Sequence, residues 1–336
     1  MTTRTVLVAR MDSMGDVLLS GPAVRAVARS ADRVVVLAGP QGEAAARLLP
    51  GVDGVLTWCA PWISPQPPRV EREDVEELMA AITATGADEA VVLTSFHQSP
   101  LPLALLLRMA GVGRISAISD DYPGSLLDVR HRVPRGMPEA ERALSLAGAA
   151  GFPPGPEDTG RLDLRRPLPD TRALVGTGTY TVVHVGADAP ARELPDALGT
   201  DVVAELGARG HRVVVTGTDR AKAGEVGGEH GLNLAGRTTT AELADVLRRA
   251  RVVTAGNTGP AHLAAAVGTP VVSLFSPVVP ASAWAPYGVA HRLLGAQDAP
   301  CAGTRARRCP VPGHPCLNDV TAGQVLAAID ELGEAS

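Results

Sequence analysis

Thr5-Val6-Leu7-Val8-Ala9-Arg10, running into Met11-Asp12-Ser13-Met14-Gly15-Asp16, decides the fold. The apolar stretch in Thr5 to Ala9, without polar alternation, reads as a strand buried on both faces, the habit of parallel sheets. A short turn then leads into a helical pattern from Asp16 to Ser30. The same strand, turn and helix phrase recurs along the chain. Further strands are expected at Arg33 to Ala38, Gly54 to Trp58, Glu89 to Thr94 and Arg114 to Ile118, with helices at Glu43 to Leu49, Val70 to Thr85, Leu101 to Ala110 and Pro138 to Ala149.

The second half repeats the phrase. Its strands fall at Thr181 to Val185, Arg212 to Thr216, Leu232 to Leu234, Arg251 to Thr254 and Pro270 to Leu274. Its helices fall at Asp196 to Ala208, Ala221 to Glu229, Thr240 to Ala250, Pro260 to Val267 and Ala322 to Leu332. Alternation of this kind specifies α/β units built on parallel sheets. A stretch dense in Pro, Gly and charge, Gly151 to Asp170, separates the two series. This places a first Rossmann-like domain at 1–155, a linker at 156–175 and a second at 176–336, with the closing helix free to pack back on the first domain. A length of 336 residues suits two hydrophobic cores better than one. Tandem open α/β domains also predict a ligand cleft at the carboxyl ends of their strands.

Composition narrows the function. At 45% hydrophobic and 20% charged, with a mean hydropathy of +0.11, the chain is globular. A net charge of −5 and only three each of Trp, Tyr and Phe argue against nucleic acid, which needs basic surface and stacking platforms. No basic leader precedes the first strand, and the most apolar stretch, Leu101 to Leu107, is far short of the roughly 20 residues of a membrane span. The expectation is a soluble, cytoplasmic protein, with at most weak peripheral membrane association through that stretch, which reads better as a core helix. Cys301, Cys309 and Cys316, with His314, supply zinc-ligand chemistry but lack C-x2-C spacing, so no metal is expected.

Three segments carry candidate chemistry. In the first, Ser13, Met14 and Gly15 lead to Asp16, a carboxylate at a strand's carboxyl end that can take a proton from a hydroxyl or simply cap the helix. The absence of G-x-G-x-x-G disfavours a nicotinamide dehydrogenase. In the second, Gly256-Asn257-Thr258-Gly259-Pro260-Ala261-His262 joins a strand to a helix whose N-terminus suits phosphate: Asn257, Thr258 and Gly259 as cradle, His262 as donor. The alternative is an ordinary cap and a core histidine. In the third, His184-Val185-Gly186-Ala187 precedes Arg192, whose planar fork suits a diphosphate, although a lone Arg is more often a solvated surface residue. Thr216 ends the neighbouring strand on the same edge. His97 and Ser99, after the fourth strand, lie on the edge that carries Asp16 and are acceptor-side candidates.

In this order the segments resemble glycosyltransferase family 9, the family of ADP-heptose:lipopolysaccharide heptosyltransferases. Ser13-Met14-Gly15-Asp16-Val17 is similar to the family's S-x-G-D-V loop. His184, Gly186, Arg192 and Pro195 are similar to its second-domain entry. Asn257 through Ala266, continuing to Leu274-Phe275-Ser276-Pro277, Trp284, Pro286, Tyr287, Gly288, Cys316 and Leu317, is similar to its signature. The resemblance implies a GT-B fold, inversion at the anomeric carbon and no metal or other cofactor. It implies Asp16 as the general base and Gly186, Arg192, Thr216, Asn257, Thr258, Gly259 and His262 on the donor side. The partners it implies are a nucleoside-diphosphate sugar and a glycan, lipid-linked or small-molecule acceptor. Two positions depart from the family's pattern: Asn257 stands where Asp is common, and Arg192 where Lys is usual. A GT-B-shaped nucleotide-sugar epimerase or hydrolase, or a non-catalytic nucleotide-sugar binder, would share the same donor residues.

Overall fold

The computed structural model describes residues 3–334, which divide into two compact units, one running to Arg165 and the other starting at Arg166. The first unit holds a six-stranded parallel sheet of β1 (Thr5–Arg10), β2 (Arg33–Ala38), β3 (Gly54–Thr57), β4 (Glu89–Val92), β5 (Arg114–Ile118) and β6 (Val129–His131). Their spatial order is β3-β2-β1-β4-β5-β6. β1 is buried along its whole length, as its unbroken apolar run requires. It pairs in register with β2 (Val6 beside Val34) and with β4 (Val6 beside Glu89).

The second unit repeats the design with β7 (Thr181–His184), β8 (Val213–Thr216), β9 (Gly231–Asn233), β10 (Val253–Gly256), β11 (Val271–Leu274) and β12 (His291–Leu294), in the order β12-β11-β10-β7-β8-β9. In both sheets the order reverses once, between β1 and β4 and between β7 and β10. Loops leaving the carboxyl ends at such a reversal diverge and open a crevice, where ligands of open α/β sheets bind.

Several details differ from the sequence reading. β6 and β12 are edge strands of three and four residues with no fully buried position, so they lack a strand's apolar signature. The helix expected from Asp16 to Ser30 is two, Met14–Leu19 and Gly21–Ala28, because Pro22 near the start of the second cannot donate into a continuous ladder. The helix Leu101–Met109 buries Leu103, Ala104, Leu106 and Leu107 and leaves Leu105 and Met109 exposed. Among the described residues no helix is long and apolar enough to cross a membrane.

The Pro- and Gly-rich connection is anchored rather than loose. Arg25 forks onto Asp158 at 2.8 and 3.1 Å, Leu162 and Leu164 are buried, and Arg165 N donates to Leu48 O. From Thr171 onward the chain is tied to the second unit through Asp245. The closing helix Ala322–Glu334 buries Val325, Leu326, Ile329 and Leu332 in a core shared with Val202, Leu206, Val272 and Leu274 of the second unit itself.

Candidate active site

In the first unit the site grows from the end of β1. Gly39 lies where a Cβ would stand 2.3 Å from Met11 O, so only glycine lets the segment after β2 press on the turn after β1 and fix its path. Ser13 takes the N-cap position of the helix Met14–Leu19 but makes no side-chain cap bond. Its hydroxyl donates instead to Asp16 Oδ2 at 2.8 Å. Asp16 is thus a first-turn residue and not the cap, and its other oxygen accepts from Arg10 Nη2 at 2.9 Å. Met14 is half-buried and Gly15 buried beneath this pair.

Arg10 is the hub that sequence reasoning missed. It is 3% exposed and meets three carboxylates: Asp12 (Nε to Oδ2, 2.9 Å), Asp16, and Glu139 (Nη1 to Oε2, 3.3 Å). Its Nη2 also donates to Ser95 Oγ at 2.9 Å. Arg142, one turn along the helix Glu139–Ala149, stands 3.6 Å from Glu139 and donates to the carbonyl of Thr94. Burial works against the charged guanidinium of Arg10, but Asp12, Asp16 and Glu139 together hold its pKa above the ordinary value. Burial pushes the Asp12 carboxyl up to about 6 against the pull of Arg10, with Asp16 adding to the rise. Burial likewise raises Glu139 and lowers Arg142.

The strand next to β1 supplies the other side of the crevice. Gln98 Nε2 donates to Asp12 Oδ1 at 2.5 Å and binds the segment after β4 to the turn after β1. His97 is exposed, edge-on to Phe96 at 5.4 Å between ring centres. Ser99 serves the scaffold: its hydroxyl donates to Asp121 at 3.5 Å and accepts from Leu101 N at the start of the next helix.

In the second unit the candidates gather around the reversal between β7 and β10. His184, at the end of β7, is buried, and burial lowers its pKa to about 4, so the ring is neutral. Its Nδ1 lies 2.9 Å from the hydroxyl of Thr216 at the end of β8, which engages that hydroxyl within the scaffold. Gly186 adopts φ +88°, the left-handed region that favours glycine, and turns the chain toward the short helical turn Pro190–Arg192. Gly256, the last residue of β10, lies directly under that turn: a Cβ there would stand 2.0 Å from Arg192 O. Arg192 and the segment Asn257–Thr258 are thereby brought side by side. Lys222, the sole lysine, pairs with Glu193 at 3.1 Å and Asp196 at 2.9 Å beside them.

Thr258 is the extended N-cap of the helix Gly259–Ala266 and makes no side-chain cap bond, and Pro260 occupies its first turn. His262 is 5% exposed. Asn257 is turned away from the helix end: its Nδ2 donates to Ser276 O at 3.4 Å and its Oδ1 accepts from Ser276 N at 3.3 Å. It ties the turn after β10 to the turn after β11. Cys301, Cys309 and Cys316 are free thiols, and Cys301 packs with Ala191 and Val278 at the base of the Arg192 turn. Among the described residues no group of three or more His, Cys, Asp or Glu side chains is placed to hold a metal ion.

Chemically, the first unit presents a carboxylate beside a crevice, oriented by a hydroxyl and a guanidinium. The second presents the Arg192 turn packed against the residue that precedes a helix N-terminus. These are the parts of a proton acceptor and of an anion site.

Residues 78–314 match the family described as glycosyltransferase family 9 (heptosyltransferase). Over 222 residues the chain is 30% identical to lipopolysaccharide heptosyltransferase 1 of Pseudomonas aeruginosa, covering 63% of this chain and 61% of that protein, so the match spans under two thirds of the relative's length. A glycosyltransferase family 9 structure from Veillonella parvula superposes with a TM-score of 0.79 at 15% identity, over 99% of this chain and 98% of that one. The Escherichia coli ADP-heptose lipopolysaccharide heptosyltransferase II superposes with a TM-score of 0.75 at 20% identity, over 98% and 99%.

Proposed function

The chain belongs to glycosyltransferase family 9, with the two parallel α/β units of a GT-B fold, and from that premise we propose that it transfers a heptose or hexose from a nucleoside-diphosphate sugar, ADP-heptose first among them, to a hydroxyl acceptor with inversion. The acceptor is a glycan, a lipid-linked sugar or a small molecule. The oxygen of its hydroxyl attacks the anomeric carbon while the bond from that carbon to the diphosphate oxygen breaks. The proton passes to the Asp16 carboxylate and the diphosphate leaves with the bonding pair. A single displacement on this geometry inverts the anomeric configuration.

The observation that carries the reading is the setting of Asp16, held by Ser13 and Arg10 at the reversal point of the first sheet, in a chain of this family. Arg192 and the N-terminus at Thr258 would meet the charge growing on the leaving diphosphate. On this reading the protein's own cations do that work and no divalent metal is required. Gly186 and Gly259 would allow close backbone approach to the phosphates, and His262 would add a donor. Ser13, Met14, Gly15 and His97 would border the acceptor.

The test is turnover of ADP-heptose with a panel of hydroxyl acceptors by the wild type and by Asp16→Asn. Loss of about 10² to 10⁴ in kcat with donor affinity retained supports the base assignment. Undiminished turnover by Asp16→Asn would refute it, and sugar turnover without any acceptor would assign the site to an epimerase or hydrolase.

A further inference from the structure

The cluster at the end of β1 holds more carboxylate than cation. Asp12, Asp16 and Glu139 share Arg10, and Arg142 meets Glu139 alone among the three at close range. The three pairings with Arg10 are unequal. Asp16 accepts a hydrogen bond from Nη2 and Glu139 one from Nη1. Asp12 lies as near, 2.9 Å from Nε, yet neither Nε nor Oδ2 makes a hydrogen bond there, so the contact is of charge without direction. The opposite oxygen of Asp12 accepts from Gln98. Of the three acids, Asp12 has the poorest geometry with the shared cation, and it stands in the same turn as Asp16.

We propose that Asp12 is a positioning residue that sets the basicity of Asp16 through the Arg10 they share. The inference rests on the assignment of Asp16 as the base. With Asp12 ionised, the field of Arg10 is divided among three carboxylates and Asp12 adds a like charge close to Asp16, so Asp16 binds a proton more tightly and is the stronger base. With Asp12 neutral, Arg10 belongs to Asp16 and Glu139, and Asp16 becomes a weaker base. Burial places the change near pH 6.

The groups facing the pair include Arg10 from β1 and Ser13 from the same turn, Ser95 and Gln98 from the segment after β4, and Glu139 and Arg142 from the helix Glu139–Ala149. Asp120, after β5, acts on Arg142. Glu139 is itself pushed up by burial, and Asp16 adds to its rise, so it titrates in the same network.

Carboxyl-carbon NMR titration of the full chain labelled at aspartate, with resonances assigned from Asp12→Asn and Asp16→Asn, reads the coupling without turnover. The expected result is an Asp12 midpoint near 6 in the wild type and a lower one in Asp16→Asn, where the like charge that raises it is gone; the same coupling, read in reverse, is what ionised Asp12 exerts on Asp16. Gln98→Ala, which removes a hydrogen bond to ionised Asp12 but keeps all the charges, should move the Asp12 midpoint upward. In turnover, the acid limb of kcat near pH 6 should vanish in Asp12→Asn and move up in Gln98→Ala, with KM for the donor unchanged. An Asp12 midpoint identical in the wild type and Asp16→Asn overturns the inference and leaves the base assignment standing. Coupled titrations in a protein whose Asp16→Asn form keeps full turnover show instead that the base assignment has failed.

Discussion

Adding one methyl group at Gly256 should damage the proposed donor side without touching a side chain there. The Cβ of Gly256→Ala would stand 2.0 Å from Arg192 O, 3.1 Å from Arg192 C and 3.2 Å from Leu194 N. All three are backbone atoms, so no rotamer change relieves the overlap. The turn Pro190–Arg192 must move outward by about 1 Å or more to restore ordinary contact, a distance that can cost a site about 10²-fold. That turn is poorly placed to yield: Ala191 N donates to Arg307 O at 2.9 Å, and Ala191 and Leu194 are each 1% exposed. Forced overpacking of this kind costs about 1–3 kcal/mol, and the pinned turn argues for the upper half. For a unit of this size each kcal/mol lowers Tm by about 2–4 °C. Gly148→Ala is the matched control, since Gly148 lies in the helix Glu139–Ala149 with nothing within 4 Å of its added methyl. It should be neutral or gain about 0.5–1 kcal/mol in helix propensity. The assay is thermal unfolding with and without ADP, joined to calorimetric titration of ADP. A Gly256→Ala protein that melts with the wild type and binds ADP with unchanged Kd would refute the claim that β10 packs this tightly beneath Arg192.

Two further outcomes follow from the buried charges. Asp245, 1% exposed, accepts from Thr171 N (2.9 Å), Thr171 Oγ1 (2.8 Å), Arg249 Nε (2.7 Å) and Arg248 Nη2 (2.6 Å). Asp245→Asn should cost about 3 kcal/mol in urea unfolding at pH 7. Burial alone would raise its pKa, but these donors hold it well below the usual carboxylate range. Its contribution is therefore present above the unfolded value near 4 and lost as pH falls, and the gap between wild type and variant should close in acid. Asp12 has the opposite sign: its folded pKa lies above the unfolded one, so its stabilising effect is present below about pH 4 and is lost as pH rises toward 6. A rise of about two units corresponds to about 3 kcal/mol. The difference in urea stability between wild type and Asp12→Asn should shift by about that much between pH 4 and pH 7, and a pH-independent difference would contradict it.

The central strands were legible because burial on both faces leaves an unbroken apolar run, as in β1, where every position is buried. β6 and β12 were not, because an edge strand of three or four residues such as Val129-Arg130-His131 carries no such run. The connection after Gly151 shows a different limit. Composition reports the freedom of the chain before folding, while the Arg25–Asp158 fork and the burial of Leu162 and Leu164 depend on partners far along the sequence. The site divides in the same way. Ser13 and Asp16 were readable because their contact is local. Arg10, which orients Asp16, looked like the polar end of a strand, and Glu139, which completes its coordination, lies 129 residues away. The one local sign was a helix whose buried face carries both Glu139 and Arg142, two charges where apolar residues are expected.

Asn257 shows how a departure within a signature can be explained by the scaffold. The resemblance to family 9 leads one to expect Asp there, and exchange for Asn invites the thought that the donor has changed. The geometry gives the residue another task. Its amide oxygen accepts from Ser276 N while its amide nitrogen donates to Ser276 O, so a single side chain satisfies both backbone groups of the turn after β11. A carboxylate could accept from the same N–H, but its second oxygen would face the Ser276 carbonyl with no proton between them, a repulsion in a site only 7% exposed. The amide is the better fit to this pair of turns. What it holds in place is the Thr258 helix end, whose neighbour across Gly256 is Arg192. The loss of a negative charge at position 257 therefore bears first on how these two turns, which carry the proposed anion site, are joined.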